Sequence, residues 1–267
     1  MVAKNVMEIF TLLDKSNCRK CGEKTCLAFA GKVYLGQCNI SACPHLSEQA
    51  IEKLEESTVV PVGSDENQEE YIASLKHDIS MLDFAETAEK IGATFDGATM
   101  IIRILGKNFG IQQQTGDFKT DLHLIPWVVM PLLEYVLHCQ GIVVSGDWVS
   151  FRELRKGKER YPLFKKRGED ILKHLADKYV DFFDDIVHMF DGTQVAKEFE
   201  SDVSVVLYPL PLVPVMICYW KPEDGMASSL NLFFDSSADH NLDADAVFFL
   251  GTGLAQMFEK LAEHHGF

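Results

Sequence analysis

Five of the seven cysteines of this 267-residue chain lie in one short stretch near its N-terminus. Thiolates are strong ligands for iron and for zinc, and pairs of thiols can also form disulfides. The stretch is therefore a candidate iron–sulfur site, a candidate zinc site or a candidate disulfide framework. Its cysteines are Cys18, Cys21, Cys26, Cys38 and Cys43.

The spacing of these cysteines favours an iron–sulfur cluster. Cys18, Cys21 and Cys26 follow the pattern C-x2-C-x4-C, and three thiolates this close in sequence can bind three corners of a cubane within a tight loop. Gly22 eases such a turn, because glycine adopts backbone conformations that other residues avoid. The fourth thiolate is assigned to Cys43, which is followed by proline, as is the last cysteine of the ferredoxin ligand pattern.

Zinc and disulfides are the alternatives. Structural zinc sites usually combine two closely paired cysteine knuckles, and the downstream pair, Cys38-x4-Cys43, fits the spacing of a zinc ribbon poorly. A disulfide framework needs an oxidising compartment, of which the sequence carries no sign. We therefore predict an iron–sulfur cluster rather than zinc or disulfides.

Eight residues of the stretch match a known pattern: Cys18, Cys21, Gly22, Cys26, Phe29, Ala30, Cys43 and Pro44. The stretch resembles the N-terminal four-cysteine iron–sulfur domain of the corrinoid iron–sulfur protein large subunit, which also occurs in the B subunit of Rnf-type electron-transport complexes. This resemblance implies one low-potential [4Fe-4S] cluster. The ligands that it implies are Cys18, Cys21, Cys26 and Cys43. Cys38 departs from the pattern; we interpret it as a spare core thiol, with a ligand role as the alternative.

The rest of the chain is similar to a bacterial and archaeal domain of unknown function that often follows this iron–sulfur module. The similarity covers most of residues 82–267. It rests on the segments GDWVSFREL, YPLPLVPVMICYWKPEDG and NLFFDSSADHNLDADAVFFLGTGLAQMF. The similarity implies no established activity. It does imply that an electron carrier and a second domain are joined in one chain.

The pattern of predicted helices and strands along the chain indicates an α+β protein with two domains. Residues 1–60 are Cys-rich and helical in pattern, and we assign them to a small cluster domain. Residues 61–80 begin with proline, glycine and a run of acids, and we predict a linker and lead-in there. Residues 81–267 alternate helical and β-rich patterns, including a hairpin around Gly106, so we predict a mixed α+β domain with antiparallel strands.

Composition excludes several classes of function. A net charge of −15 repels phosphate backbones, so nucleic acid is not an expected partner. No stretch approaches the about 20 apolar residues of a membrane helix, and the first residues lack the features of a signal peptide. We therefore expect a cytoplasmic protein of an anaerobe.

Two polar clusters outside the cysteine stretch are weaker candidates. The segment DLHLIP, which contains His123, partly matches the D-x-H-x-x-G signature of corrinoid-binding proteins, but we favour a loop because proline replaces the glycine. Asp235, Asp239 and His240 follow a predicted strand, and oxygen-rich clusters can hold a hard cation. Helix capping by Asp243, together with solvation, is the favoured interpretation of that cluster.

The sequence contains neither a G-x-S-x-G nor an H-E-x-x-H motif, so a stand-alone enzyme is not the favoured interpretation. Together with the resemblance, the residues predict low-potential one-electron transfer by a [4Fe-4S] cluster, with a corrinoid (cobalamin-type) centre as a candidate second cofactor. The expected partner is a redox protein, for example a corrinoid protein or a methyltransferase. The alternatives are a second domain that itself binds a corrinoid or another cofactor, and a redox-sensing module with a structural cluster.

Overall fold

The computed structural model describes residues 6–34, 40–46, 65–120, 126–223 and 225–265. The chain divides into two compact units, Met1–Tyr71 and Ile72–Phe267. Every strand among the described residues belongs to the second unit, and all of their pairings are antiparallel. These helices and antiparallel strands confirm the predicted α+β class.

The first unit contains short helices. Helix α1 (Val6–Leu12) and helix α2 (Cys26–Tyr34) pack against each other, and a 3-10 turn covers Ile40–Ala42. The apolar spacing of CLAFAGKV places Phe29 on the buried face of α2. The segment SEQAIEKLEE, which begins with the N-cap residue Ser47 and therefore predicts a helix, lies outside the described residues.

The predicted linker at 61–80 contains a 16-residue helix, α3 (Asp65–Ser80). The domain boundaries drawn from the sequence stay predictions. None of the helices that the structure describes combines the length and the apolarity of a membrane span. The helices after α3 are α4 (Phe84–Lys90), α5 (Pro126–His138), α6 (Gly157–Phe164), α7 (Asp170–Lys178), α8 (Phe182–Met189), α9 (Ala238–Asn241) and α10 (Ala244–His265).

The first sheet of the second unit consists of four strands: β1 (Thr94–Phe95), β2 (Thr99–Ile104), β3 (Lys107–Gln112) and β4 (Phe118–Thr120). They lie in sequence order, and β2 and β3 form the predicted hairpin. Its turn residues, Leu105 and Gly106, have φ values of 46° and 74°. A two-residue turn with positive φ at both positions has a backbone twist that matches the twist of the flanking strands.

The second sheet consists of five strands: β5 (Trp148–Ser150), β6 (Thr193–Gln194), β7 (Val203–Leu210), β8 (Val213–Trp220) and β9 (Ser229–Asp235). Their spatial order is β5-β9-β8-β7-β6. The segments SVVLYPL, VPVMICYW and SLNLFFD have the β-rich pattern that predicts strands, and the three long strands β7, β8 and β9 confirm it. The register of β7 against β8 shifts between Leu207 and Leu210, where Pro209 has no N–H to donate to the ladder.

An aromatic core joins the second sheet to its helices. The rings of Phe151 and Phe164 stack with centroids 4.2 Å apart, and both rings contact Phe234 of β9 and Phe248 of α10. Gly251 allows this approach, because a Cβ atom there would lie 2.7 Å from Cε2 of Phe164. The segment DADAVFFLGTGLAQMFEKLAEH has a helical pattern that includes Gly251, and α10 confirms the helix predicted from it.

Candidate iron–sulfur site

The four predicted ligands lie on a loop, a helix start and a turn of the first unit. Cys18 and Cys21 lie in the loop that joins α1 to α2. Cys26 is the first residue of α2, and Cys43 directly follows the 3-10 turn. Cys38 lies outside the described residues. Each cysteine that the structure describes is a free thiol.

Three of the four thiols gather at one apolar cluster. Cys26 and Cys43 are each 7% exposed and belong to this cluster, and the half-buried Cys21 packs against it. Cys18, in contrast, is exposed. The arrangement offers a bound group an apolar side and a solvent side. The buried members of the apolar cluster are Ile9, Leu13, Cys26, Phe29, Ala30, Ile40 and Cys43.

The backbone of the loop before α2 alternates between positive and negative φ. φ is 62° at Lys15, 50° at Asn17 and 65° at Arg19, whereas the residues between them have negative φ. Positive φ is uncommon at residues other than glycine, and here it occurs three times within residues 15–19, in the loop that carries Cys18. Gly22 has a φ of 85°, a value that glycine reaches without strain.

Asn17 ties this loop to the start of α2. Its Oδ1 accepts a hydrogen bond from the backbone N–H of Cys26 at 2.7 Å. Oγ1 of Thr25 accepts a second hydrogen bond, from the backbone N–H of Ala28 at 3.1 Å. Both bonds satisfy N–H groups that no helical carbonyl can reach. Sequence reasoning missed Asn17, since it lies nine residues before its partner and no local signal connects the two.

The same loop is basic although the chain is acidic. Lys15, Arg19, Lys20 and Lys24 are exposed around the cysteines, and Glu23 is the only acid between Lys15 and Cys26. The whole chain, in contrast, carries a net charge of −15. Cations in the loop that carries the cysteines offset the negative charge of a thiolate-bound cluster and attract acidic surfaces.

The donor set fits an iron–sulfur cluster in its chemistry. Four cysteine thiolates are the usual ligands of a [4Fe-4S] cluster. Among the residues that the structure describes, no group of three or more Cys, His or acidic side chains is arranged to hold a single metal ion. A cubane binds each thiolate to a different iron, so its four ligands do not converge on one point.

Asp235, a member of the second candidate cluster, is a fully buried carboxylate that organises the surrounding loops. It accepts hydrogen bonds from the N–H and Oγ of Ser145, both at 3.0 Å, and from the N–H groups of Gly146 at 2.6 Å and Ser237 at 2.9 Å. Burial alone would raise the pKa of Asp235. The hydrogen bonds from Ser237, Ser145 and Gly146 outweigh burial and lower it.

The other members of that cluster have separate surroundings. Oδ2 of Asp239 accepts a hydrogen bond from the backbone N–H of Arg155 at 2.7 Å, and His240 is exposed. Asp243 accepts a hydrogen bond at 2.7 Å from a backbone N–H in the first turn of α10, as the capping interpretation predicts. A cation site at these residues stays a prediction. His123 lies outside the described residues.

Sequence reasoning also missed a buried carboxyl group, that of Glu169. This residue ends a π-helical segment, Lys165–Glu169, and is fully buried. Its Oε1 accepts a hydrogen bond from the backbone N–H of Leu232 at 3.1 Å, and its Oε2 accepts one from the hydroxyl of Tyr161 at 3.0 Å. β5 pairs with residues 233–235 of β9 and does not reach residue 232. Glu169 therefore binds the edge of β9 at Leu232, where β5 no longer covers it. Burial raises the pKa of Glu169.

Two family models match the chain. The model described as "Domain of unknown function (DUF3786)" matches residues 83–257. The model described as "Putative Fe-S cluster" matches residues 13–45, which include all five clustered cysteines. These matches confirm the resemblance of both parts of the chain. No solved structure matches the chain significantly.

Curated relatives share only a short segment with this chain. The gamma subunit of the acetyl-CoA decarbonylase/synthase complex of Methanopyrus kandleri is 39% identical over 62 residues, which are 23% of this chain and 13% of the relative. The corrinoid/iron-sulfur protein large subunit of Moorella thermoacetica is 39% identical over 56 residues, 21% of this chain and 13% of the relative. The chain thus spans 13% of the length of each of these two relatives.

Proposed function

The chain belongs to the DUF3786 family, and from that premise we propose that it is an electron-transfer protein whose N-terminal segment binds one low-potential [4Fe-4S] cluster. The observation that carries the proposal is the gathering of Cys21, Cys26 and Cys43 at one apolar cluster, with Cys18 exposed on the loop before α2. The matched iron–sulfur family model supports it. The proposed ligands are Cys18, Cys21, Cys26 and Cys43.

The residues of the first unit have distinct tasks in this proposal. When bound, the cluster supplies one-electron redox chemistry. Apolar side chains beside Cys26 and Cys43 exclude water from one side of the site, and an environment of low polarity disfavours additional negative charge and so lowers the reduction potential. Asn17 anchors the loop that carries Cys18 and Cys21 to the start of α2.

The basic loop indicates the kind of redox partner. Cys18 is exposed in a loop rich in lysine and arginine, so a partner with an acidic surface would be steered to that side of the site. One relative is named a corrinoid/iron-sulfur protein. We therefore propose a corrinoid protein or its methyltransferase as the partner. Reduction of such a partner should slow as salt is added, because salt screens the attraction between exposed charges.

Single Cys→Ser substitutions in the full chain test the ligand set. After anaerobic purification, variants at Cys18, Cys21, Cys26 and Cys43 should lose most of their iron and visible absorbance. Cys38→Ser should keep both. If Cys38→Ser loses iron while Cys43→Ser retains it, Cys38 is the fourth ligand. If all four predicted ligand variants retain wild-type iron, the proposed site is wrong.

Cobalt content of the wild-type preparation tests how a corrinoid is involved. We propose that the corrinoid belongs to the partner, so cobalt should be absent from the purified chain. One cobalt per chain, with the absorption bands of a corrin, would instead make the second domain a corrinoid carrier.

A further inference from the structure

The second unit contains a cavity of about 780 Å³ that the iron–sulfur chemistry does not use. It lies between α7 and α8 on one side and strands β7 and β8 on the other. Its volume falls within the range of pockets that hold small ligands, roughly 300–1,000 Å³. Val180, which is 98% exposed, lines the cavity and marks its opening to solvent.

A hydrogen-bonded carboxylate fixes one wall of this cavity. Oδ2 of Asp177 pairs with Nζ of Lys173 at 2.7 Å, and Oδ1 accepts a hydrogen bond from the hydroxyl of Tyr219 at 2.8 Å. Burial alone would raise the pKa of Asp177, but hydrogen bonds from Lys173, Ser228 and Tyr219 outweigh it and lower the pKa. Burial and Asp177 raise the pKa of Tyr219 to about 12. Asp177 is thus ionised and Tyr219 neutral at pH 7, and their bond holds the tyrosine ring in place.

Aromatic and aliphatic side chains provide the apolar part of the lining. The rings of Phe183 and Tyr219 lie with centroids 5.4 Å apart at an interplanar angle of 40°. Val180 and Val203 add aliphatic surface beside them. Tyr219 is only 5% exposed and Phe183 is half-buried, so Phe183 and the branched aliphatic groups provide most of the accessible apolar surface. Such a surface favours a planar, apolar ligand body, since aromatic surfaces gain from stacking and edge contacts in addition to burial.

The charges of the lining leave one lysine for a negative group of a ligand. Lys173 is already paired with Asp177, whereas no ion pair of Lys221 occurs among the described residues, so its ammonium is available. Asp184 adds an exposed carboxylate to the same lining. Two lysines and two aspartates leave no net positive charge, so a polyphosphate would be poorly compensated.

We propose that this cavity binds a small planar aromatic compound that carries a single anionic group. The ring system contacts Phe183 and Tyr219, and the anionic group pairs with Lys221. This gives the domain of unknown function a ligand site that does not depend on the cysteines of the first unit.

Fluorescence titration with 8-anilinonaphthalene-1-sulfonate tests the proposal, because this probe is itself an aromatic monoanion. The full chain should bind it saturably at one site. Lys221→Gln should weaken binding about tenfold, since a charge-assisted contact to the sulfonate is lost. Phe183→Leu should also weaken binding, because one of the two rings is removed. Lys158→Gln, an exposed lysine of α6 outside the cavity, is the matched control and should bind as the wild type does.

Two further measurements distinguish binding in this cavity from binding at an exposed aromatic surface or at a general anion site. Phe199 is 48% exposed and stacks on Phe233 at a centroid distance of 4.3 Å, outside the cavity lining. Phe199→Ser should leave binding of the probe unchanged, and inorganic pyrophosphate should not displace the probe. The proposal is overturned if Lys221→Gln binds as tightly as the wild type, if only Phe199→Ser abolishes binding, or if pyrophosphate competes.

Discussion

Replacing Asp235 by asparagine tests whether this buried carboxylate is a structural element of the second unit. Its two oxygens accept four hydrogen bonds, three at Oδ1 and one at Oδ2. An asparagine can keep its oxygen at the position of Oδ1. Its NH2 group would then take the place of Oδ2 and face the N–H of Gly146, which lies 2.6 Å from that oxygen. Two donors would meet where a donor and an acceptor met before.

The expected cost follows from these contacts. The substitution removes the charge-assisted acceptor of the Gly146 N–H and so leaves that N–H unsatisfied, a single loss that costs about 1–3 kcal/mol. The three remaining bonds weaken because their acceptor is no longer charged. We expect Asp235→Asn to lower the free energy of unfolding by about 2–4 kcal/mol. Asp243→Asn is the matched control, because asparagine caps a helix about as well as aspartate does, and it should change stability by less than about 0.5 kcal/mol.

Urea unfolding of the full chain, followed by tryptophan fluorescence, measures this difference. The chain has three tryptophans, at positions 127, 148 and 220, and all of them belong to the second unit. The lowered pKa of Asp235 adds a pH signature: its contribution is present above the unfolded pKa of aspartate, about 3.9, and is lost as pH falls through the lower folded value. The asparagine variant should lack that part of the acid sensitivity.

Two results would refute this reasoning about Asp235. The first is an Asp235→Asn variant as stable as Asp243→Asn, which would mean that the four hydrogen bonds contribute nothing measurable. The second is a wild-type unfolding midpoint that rises with added calcium or magnesium while the midpoint of Asp235→Asn does not. That outcome would make the carboxylate a cation ligand, as in the alternative interpretation of the cluster after β9.

Three other substitutions have defined outcomes. Asn17→Ala removes the acceptor for the N–H of Cys26, and the loss of such a contact at a helix start costs about 0.5–2 kcal/mol. Release of iron to a chelator should therefore be faster than in the wild type. An unchanged release rate would contradict this role of Asn17. Glu169→Gln keeps the hydrogen-bonding shape but cannot ionise. Because burial raises the pKa of Glu169, wild-type stability should fall as pH rises from the unfolded pKa through the folded one, and urea unfolding of the glutamine variant should lack that fall. Gly251→Ala brings a methyl group against Phe164 and should lower thermal stability by about 1–3 kcal/mol; an unchanged melting temperature would contradict the close approach.

Elements with a long periodic pattern are predictable from the sequence, because each carries its own signal. The β-rich runs that form β7, β8 and β9 are bounded by turn residues, and the closing helix α10 repeats apolar residues at helical spacing. The short strands are not predictable in this way. β1, β5 and β6 have only two or three residues each, and they exist because a longer neighbour offers them a partner.

Local charge can also mislead. By its composition the segment RELRKGKER is a solvated face or a loop, two alternatives that charge alone does not separate, and α6 begins at Gly157 inside it. The helix forms because its later part reaches the aromatic core, where Phe164 stacks on Phe151. Its polar residues are tolerated because most of them stay exposed.

The candidate site is predictable only in its ligand types. The spacing of the cysteines identifies the candidate thiols, since C-x2-C-x4-C followed by a Cys-Pro pair is typical of iron–sulfur ligands. The contact that supports the site joins Asn17 to Cys26, nine residues apart, and the buried contacts of the second unit join residues farther apart still: Glu169 and Leu232 are 63 residues apart, and Asp177 and Tyr219 are 42 apart. Such contacts depend on tertiary packing, for which a single sequence has no local signal.

A reducible [4Fe-4S] cluster is the central prediction for this protein. Iron, sulfide and zinc should be measured on the anaerobically purified chain, with EPR spectra before and after addition of dithionite. We predict about four irons and four sulfides per chain and an S = 1/2 signal that appears on reduction. Stoichiometric zinc without iron, or a cluster that dithionite cannot reduce reversibly, would contradict low-potential electron transfer.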